Sequence, residues 1–341
     1  MMVTLLSESD IRASAGFDRE ALDAVAQGFA RLAEGRAFAP PVIAIEIPEH
    51  SGEVDIKTAY IEGLDSFAVK VASGFFDNPA KGLPYGTGMM VLISAETGFL
   101  QALLVDNGYL TELRTGLAGG LAADLLARRD ISDVAVIGSG SQARYQLRGL
   151  RLVRDFERVR VFGIVPDEVA RYVDEVETEL HVDVLAAPTV EEAVRGADVV
   201  LCATPSRGPY LEAQWLQPGV HVTSMGSDMP TKQELYVDCL SRADRVVCDR
   251  RSQCVALGEL HHAVDAGAVE ADDVDELGEL VTGAKPGRRS DDEITICDLT
   301  GVGVQDTAIA TLAYRNALAQ GLGATFGDDQ PAIAGDEAGG A

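Results

Sequence analysis

Residues 134–144, Val-Ala-Val-Ile-Gly-Ser-Gly-Ser-Gln-Ala-Arg, decide the fold. The β-branched run 134–137 reads as a buried strand. The run 142–153 sets Ala143, Leu147, Leu150 and Val153 on one helical face. Between them Gly138, Ser139, Gly140, Ser141, Gln142 and Ala143 spell Gly-x-Gly-x-x-Ala. In that setting the first glycine allows a tight turn, and the second lets backbone approach a pyrophosphate. The small Ala143 lets helix and strand pack closely, with the phosphates at the helix N-terminus. A chain with 35 glycines in 341 residues throws up such triplets by chance. The flanking strand and helix favour a dinucleotide turn over a plain glycine-rich loop.

Outward from the turn, the chain divides by style. After residue 133, strands at 134–137, 159–162, 198–203, 220–224, 245–248 and 294–297 alternate with helical segments, as in a doubly wound parallel sheet. Before it, strands at 42–47, 54–61, 66–73, 88–95 and 99–105 follow one another through Gly, Pro, Asp and Asn turns, which predicts a mostly antiparallel sheet. Residues 7–34 read as helical, with Asp18 capping an amphipathic stretch. A Gly- and Ala-rich helix over 109–127 should pack closely on a neighbour. Residues 306–320 form a last helix, and 327–341 read as a disordered acidic tail.

The length suits two domains with real cores, 47% of the residues being hydrophobic. There is no signal-peptide pattern and no run of 18 apolar residues, so a cytoplasmic protein without a membrane span is expected. The five cysteines form no Cys-x-x-Cys and read as reduced thiols. The five histidines have no metal-ligand spacing, so no metal is expected; His261 and His262, after Glu259, read as a surface pair on a solvated helix. The net charge of −26 repels nucleic acid and fits a solvated acidic surface, as in a high-salt cytoplasm. Only five lysines stand against 23 arginines, and two of them, Lys57 and Lys70, lie in apolar strand-like runs. Either a compact, titratable ammonium is needed there, or both are edge-strand lysines that blunt aggregation.

Four stretches together carry a resemblance: "ELRTG" (112–116), "GSGSQAR" (138–144), "MGSDMPTKQEL" (225–235) and "DLTGVGVQDTAIA" (298–310). In this order, over nearly the whole chain, they resemble the ornithine cyclodeaminase/mu-crystallin family. The resemblance implies an α/β fold, with a Rossmann domain (119–305) inserted into an N-terminal α+β domain (1–118 plus 306–326) that is closed by the C-terminal helix. It also implies a homodimer, a nicotinamide cofactor and a small amino- or imino-acid substrate. The stretches 53–84 and 106–116 look most like the iminosuccinate reductase and ectoine-utilisation cyclodeaminase-like subgroup. One departure stands out. The family's arginine after the first proline is missing from "AFAPPVIAIEIP", and Lys57 in the next strand is placed to supply that cation.

By the same resemblance Lys70 and Arg114 hold the substrate carboxylate, and Lys70 and Asp228 are the catalytic pair. Arginine suits a bidentate carboxylate, and a lysine ammonium can bind or pass a proton. A surface ion pair with Glu112 or another acid is the plain reading of Arg114. Asp228, at the C-terminal end of a buried strand, would hold the substrate nitrogen and exchange a proton with it; capping a helix over 231–235 is its other use. Lys232 and Glu234 would stabilise that helix. Thr115, Thr204, Met225, Gly226 and Val302 are expected around the cofactor, Thr204 having a structural use as its alternative. Asp306 reads as the cap of the last helix. The second Rossmann strand ends in Gly163, Ile164 and Val165, with neither the acid of NAD binders nor an arginine for a 2′-phosphate. The acidic chain tips the expectation to NAD, with NADP left open. Three cations suit an imine with two carboxylates, so reduction of iminosuccinate to aspartate is the leading expectation. An ornithine cyclodeaminase-type lyase, an ectoine-pathway imine step and a crystallin-like binding protein are the alternatives.

Overall fold

In the 66–75 strand Ser66, Ala68 and Lys70 turn inward, the period-2 pattern of a sheet with one face on a core. That sheet is built by the first part of the chain, as given by a computed structural model describing residues 2–327. The tail expected at 327–341 lies, apart from Gly327, outside the described residues. The elements run β1 (Val3–Ser7), α1 (Glu8–Ser14), α2 (Arg19–Ala33), β2 (Ala37–Phe38), β3 (Ile43–Ile47), β4 (Gly52–Ile61), β5 (Ser66–Phe75), β6 (Gly86–Ser94), β7 (Leu100–Val105) and α3 (Tyr109–Leu126). The stretch expected as helical over 7–34 is two helices. Ser7 caps the first, and Asp18 restarts the second by accepting from the Ala21 amide at 2.8 Å. The interruption has a local cause, since an Asp side chain that satisfies a helix-start amide favours beginning a new helix.

The second part runs β8 (Asp133–Ile137), α4 (Ser141–Arg151), β9 (Arg158–Phe162), α5 (Pro166–Leu180), β10 (Asp183–Ala186), α6 (Val190–Val194), β11 (Val199–Cys202), β12 (His221–Ser224), α7 (Val237–Arg242), β13 (Arg245–Cys248), α8 (Arg251–Cys254), α9 (Glu259–Asp265), β14 (Asp275–Glu276), α10 (Leu277–Val281) and β15 (Thr295–Asp298). Then α11 (Gly303–Ala319) and β16 (Ala324–Phe326) return to the first sheet. The first sheet has the order β16–β1–β7–β6–β5–β4–β2, with β3 also on β4. It is antiparallel except where β1 meets β7. The second is wholly parallel, in the order β10–β9–β8–β11–β12–β15–β13–β14. Its order reverses between β8 and β11, and open α/β sheets bind ligands in that crevice. The fold is thus α/β, a Rossmann-type sheet joined to a mostly antiparallel one. No helix among the described residues is long and apolar enough to cross a membrane.

Helix α3 is buried on nearly all sides, and its glycines show why. A Cβ on Gly149 of α4 would stand 1.9 Å from the Gly116 carbonyl oxygen of α3, and one on Gly120 would stand 2.4 Å from that of Gly149. The two helices touch backbone to backbone. Since α3 carries Arg114 and α4 begins at the glycine turn, this contact sets the distance between them.

Candidate active site

The glycine turn is shaped as its sequence requires. Gly138 has φ +110, and a Cβ there would meet the Ala203 oxygen of the neighbouring β11 loop at 2.5 Å. A Cβ on Gly163 would strike Ser139 Oγ at 2.7 Å. Arg144 steadies the turn by donating to the carbonyls of Ser139 (2.7 Å) and Gly140 (3.0 Å). A Cβ on Gly140 would meet nothing within 4 Å, so open space lies where backbone is expected to face a phosphate. No side chain caps α4, and Ala143 in its first turn is fully buried. Open room, a restrained turn and an uncapped helix start fit a dinucleotide pyrophosphate. Ser141 lies exposed at the first helical position, and Gln142 Nε2 donates to Glu112 Oε2 at 2.5 Å.

Across the crevice Glu234 organises the strand ends. This fully buried carboxylate accepts from the Thr204 amide (2.7 Å) and hydroxyl (2.8 Å), the Tyr210 hydroxyl (2.7 Å), the Ser224 hydroxyl (2.9 Å) and the Gly226 amide (2.8 Å). It clamps the β11 and β12 loops together, and Met225, the first residue after β12, is buried. The helix expected over 231–235 is absent, and chain there is a turn followed by an isolated bridge from Leu235 to Leu211. Glu234 and Lys232 therefore support loops, and Asp228 caps no helix. Local propensity lost here because the buried Glu259 carboxylate takes the Glu234 and Leu235 amides. Glu259 is buried too, accepting from the amides of Glu234 and Leu235, so α9 is not a solvated helix. His262 is half-buried with its Nε2 at 2.8 Å from the Lys232 oxygen.

The cations gather on the inner face of the first sheet. Lys57 and Lys70 stand directly opposite each other on β4 and β5, 6% and 1% exposed. Both strands are interior to the sheet, which removes the edge-strand reading. Helix α11 starts hard against β4, since a Cβ on Gly303 would meet the Thr58 oxygen at 2.2 Å. Thr307 stitches it to both strands, donating to the Ala59 oxygen (2.7 Å) and accepting from the Ala68 amide (3.0 Å). Asp306 is therefore carried inward, one turn inside the helix rather than capping it. Its Oδ1 lies 3.2 Å from Lys70 Nζ and 3.0 Å from Arg114 Nε. Arg114 is 4% exposed, which removes the surface ion pair as its use, and it also donates to Gln305 Oε1 at 3.1 Å. Lys57 donates to the Thr300 carbonyl at 3.0 Å. That loop is anchored by Asp249, which accepts from the Gly301 amide (2.6 Å) and the Thr300 hydroxyl (3.1 Å). The next residue, Val302, donates its amide to Gln305 Oε1 at 2.8 Å. Thr115 sits beside Arg114, half-buried, its hydroxyl turned to the Thr111 carbonyl.

Lys70 and Arg114 thus share the Asp306 carboxylate, and Lys57 beside them has no carboxylate in contact among the described residues. Asp106, the next nearby acid, already accepts from the amides of Gly108 and Leu110. Burial, then the charge of Arg114, opposed by Asp306, and the charge of Lys57 bring the Lys70 ammonium down to about 7. A group poised there can bind a carboxylate or exchange a proton near neutrality.

Asp228 belongs to the same site by an indirect link. It is one-third exposed, its Oδ1 accepting from Lys232 Nζ at 2.9 Å; the same ammonium reaches Glu53 Oε1 at 3.1 Å. Glu53 and Lys57 are four residues apart on β4, hence on one face, with about 13 Å of strand between them. The Asp228 end and the cation end therefore bracket the length of a small molecule.

These motifs in this geometry agree with the family comparison. The ornithine cyclodeaminase/mu-crystallin family matches residues 2–321. The chain belongs to that family. A putative dehydrogenase of Rhizobium meliloti is 48% identical, over 94% of this chain and 98% of its own. Among solved structures, an archaeal alanine dehydrogenase dimer with bound NAD superposes with TM-score 0.88 at 36% identity, covering 96% of this chain and 99% of that one. The iminosuccinate reductase of Paracoccus denitrificans in complex with NAD+ superposes with TM-score 0.87 at 28% identity, covering 96% and 100%. The relatives of this family member thus include nicotinamide-dependent oxidoreductases.

Sequence reasoning missed Asp306, Glu234, Glu53 and Gln305 as parts of the site. Asp306 carried a faint signal, an acid in the first turn of an otherwise apolar helix. The other three carried none, because the contacts that join them to the site, with Arg114, Thr204 and Lys232, come from other parts of the chain.

Proposed function

We propose that this chain is an NAD(H)-dependent imine reductase, or amino-acid dehydrogenase in reverse, acting on a small carboxylated imine. Iminosuccinate, reduced to aspartate, fits best. The observation that carries the reading is the buried group of Lys57, Lys70 and Arg114, of which Lys70 and Arg114 share the Asp306 carboxylate and Lys57 meets the Thr300 carbonyl. Buried positive charge is costly unless paired, and a dicarboxylate pairs it. Gly138 to Ala143 would cradle the pyrophosphate of NADH, with Thr115, Thr204, Met225, Gly226 and Val302 around it, and the cofactor would supply a hydride to the imine carbon. Arg114 and Lys70 hold the carboxylate beside the imine carbon, and Lys57 takes the distal one. Asp228 holds the substrate nitrogen and exchanges a proton with it, so carbon gains a hydride and nitrogen a proton.

The working unit we propose is a homodimer, as in the alanine dehydrogenase neighbour. Ile43, Ile45, Tyr60 and Met89 of the first sheet lie exposed, apolar surface that a second copy would cover.

The test is NADH oxidation with oxaloacetate plus ammonia, against pyruvate plus ammonia. The dicarboxylate should be preferred. Lys57→Met removes one charge-assisted contact, worth about 1.5–3 kcal/mol, or roughly ten- to a hundredfold in kcat/KM. The loss should fall on the dicarboxylate and spare the monocarboxylate, and equal losses on both would remove the second-carboxylate role. Ammonia release from ornithine with no net NADH change would instead mark a cyclodeaminase.

A further inference from the structure

Lys232 lies 6% exposed in the crevice between the two sheets, with its ammonium on two carboxylates from different sheets. Asp228 is on the loop after β12, and Glu53 is on β4. The Phe76 ring centroid is 6.0 Å from the same nitrogen, and Phe76 packs edge-on against Tyr85 at 5.1 Å. The backbone that presents this lysine is held from behind. Ser227 Oγ donates to the Lys232 oxygen at 2.7 Å, and the Lys232 amide donates to the Met229 oxygen at 3.1 Å. The Asp228–Lys232 spacing of four residues is therefore kept by a turn and not by a helix.

We propose that Lys232 is a positioning residue that fixes Asp228 over the substrate and, through Glu53, ties the β12 loop to the sheet bearing the cations. This rests on the reading of Asp228 as the group at the substrate nitrogen. Asp228 has one other reason to be where it is, its place in the chain, and at one-third exposure its carboxylate is otherwise free to turn to water. An ammonium at 2.9 Å holds it aimed. Because Lys232 also grips Glu53, a relative movement of the two sheets that opens the crevice must break one of the two ion pairs. Placement of the acid is thereby coupled to the crevice being closed. The balance of charge agrees, since one lysine between two acids leaves a net negative end opposite the cation cluster, suited to a positively charged iminium nitrogen.

The test combines kinetics with an observation that needs no turnover. In the full chain with NAD, Lys232→Met and Glu53→Gln should each raise amide hydrogen exchange in 226–235 by tenfold or more, with exchange at the 138–151 turn and helix unchanged. Unchanged exchange in 226–235 for both variants would overturn the tether whatever the substrate proves to be. In turnover, Lys232→Met should lower kcat about tenfold or more with little change in the NADH KM, and Lys232→Arg should restore part of it. Placed on Asp228→Asn, Lys232→Met should cost nothing further, because a residue acting through Asp228 has nothing left to position. A full additional loss in the double variant, or an Asp228→Asn enzyme as active as the parent, would overturn the proposal. If no imine is turned over at all, the reductase reading fails on its own, and the exchange result still decides the tether. Glu53→Gln keeps the test open should Lys232→Met fold poorly.

Discussion

Gly149→Ala should damage both stability and catalysis, from a site on neither cofactor nor substrate. The added Cβ would stand 1.9 Å from the Gly116 oxygen and 2.7 Å from its carbonyl carbon, with the Gly120 nitrogen 3.3 Å away. Ordinary contact begins near 3.4 Å, so α3 and α4 must part by roughly 1.5 Å. Every obstructing atom is backbone, and no rotamer relieves it. Overpacking of this kind costs ~1–3 kcal/mol, and the rigid partners put the cost at the upper end. With ~2.1 cal/mol/K of unfolding entropy per residue, a ~3 kcal/mol loss lowers Tm by roughly 4 °C. The displacement also moves Arg114 on α3 against the phosphate turn of α4. A misplacement of about 1 Å in reacting groups costs on the order of a hundredfold, so kcat/KM should fall by that order. Scanning calorimetry and steady-state NADH oxidation read the two effects. Gly16→Ala is the control, since a Cβ there meets nothing within 4 Å. A Gly149→Ala protein whose Tm stays within about 1 °C of the parent, with undiminished kcat/KM, would refute the backbone contact between α3 and α4.

Other outcomes follow from the buried charges. Lys70, brought down to about 7 in the free protein by burial first and then by the charge of Arg114, opposed by Asp306, should regain its proton when a carboxylate arrives. Binding of a dicarboxylate at pH about 8 should therefore take up about one proton, seen by calorimetry in buffers of different ionisation enthalpy; release of a proton would place the ligand elsewhere. Asp298 is buried and raised from 3.8 to about 7, chiefly by desolvation. Between those values the folded state holds the extra proton, so its contribution is complete below 3.8 and is lost as pH rises through 7. The parent's Tm should then fall more steeply from pH 5 to 8 than that of Asp298→Asn, and parallel curves would remove Asp298 as the cause. With a net charge of −26, thermal midpoints should climb from low to molar KCl, and a flat series would mean self-repulsion is unimportant.

What was legible in the residues was what rests on short-range pattern. The strand–turn–helix at 134–151 identified the Rossmann half because glycine conformation, small-residue packing and helix periodicity are all written within about 20 positions. Alternation placed β4 and β5, and the scarcity of lysine drew attention to Lys57 and Lys70 before their strands were seen side by side. The strands that escaped, β1, β2, β10, β14 and β16, are short and lie at or near sheet margins. They exist because a distant strand offers hydrogen bonds, as β7 does for β1. The 231–235 stretch failed for the converse reason, since one buried carboxylate, that of Glu259 about 25 residues away, took two of its amides. The charge arithmetic of the site was likewise beyond the sequence. Asp306 meets Lys70 and Arg114 across 236 and 192 positions only because Gly303 and Thr307 press α11 onto β4 and β5. A residue's type announces what it can bind, whereas its charge state and partner depend on burial and on who stands opposite, and those are properties of the folded chain alone.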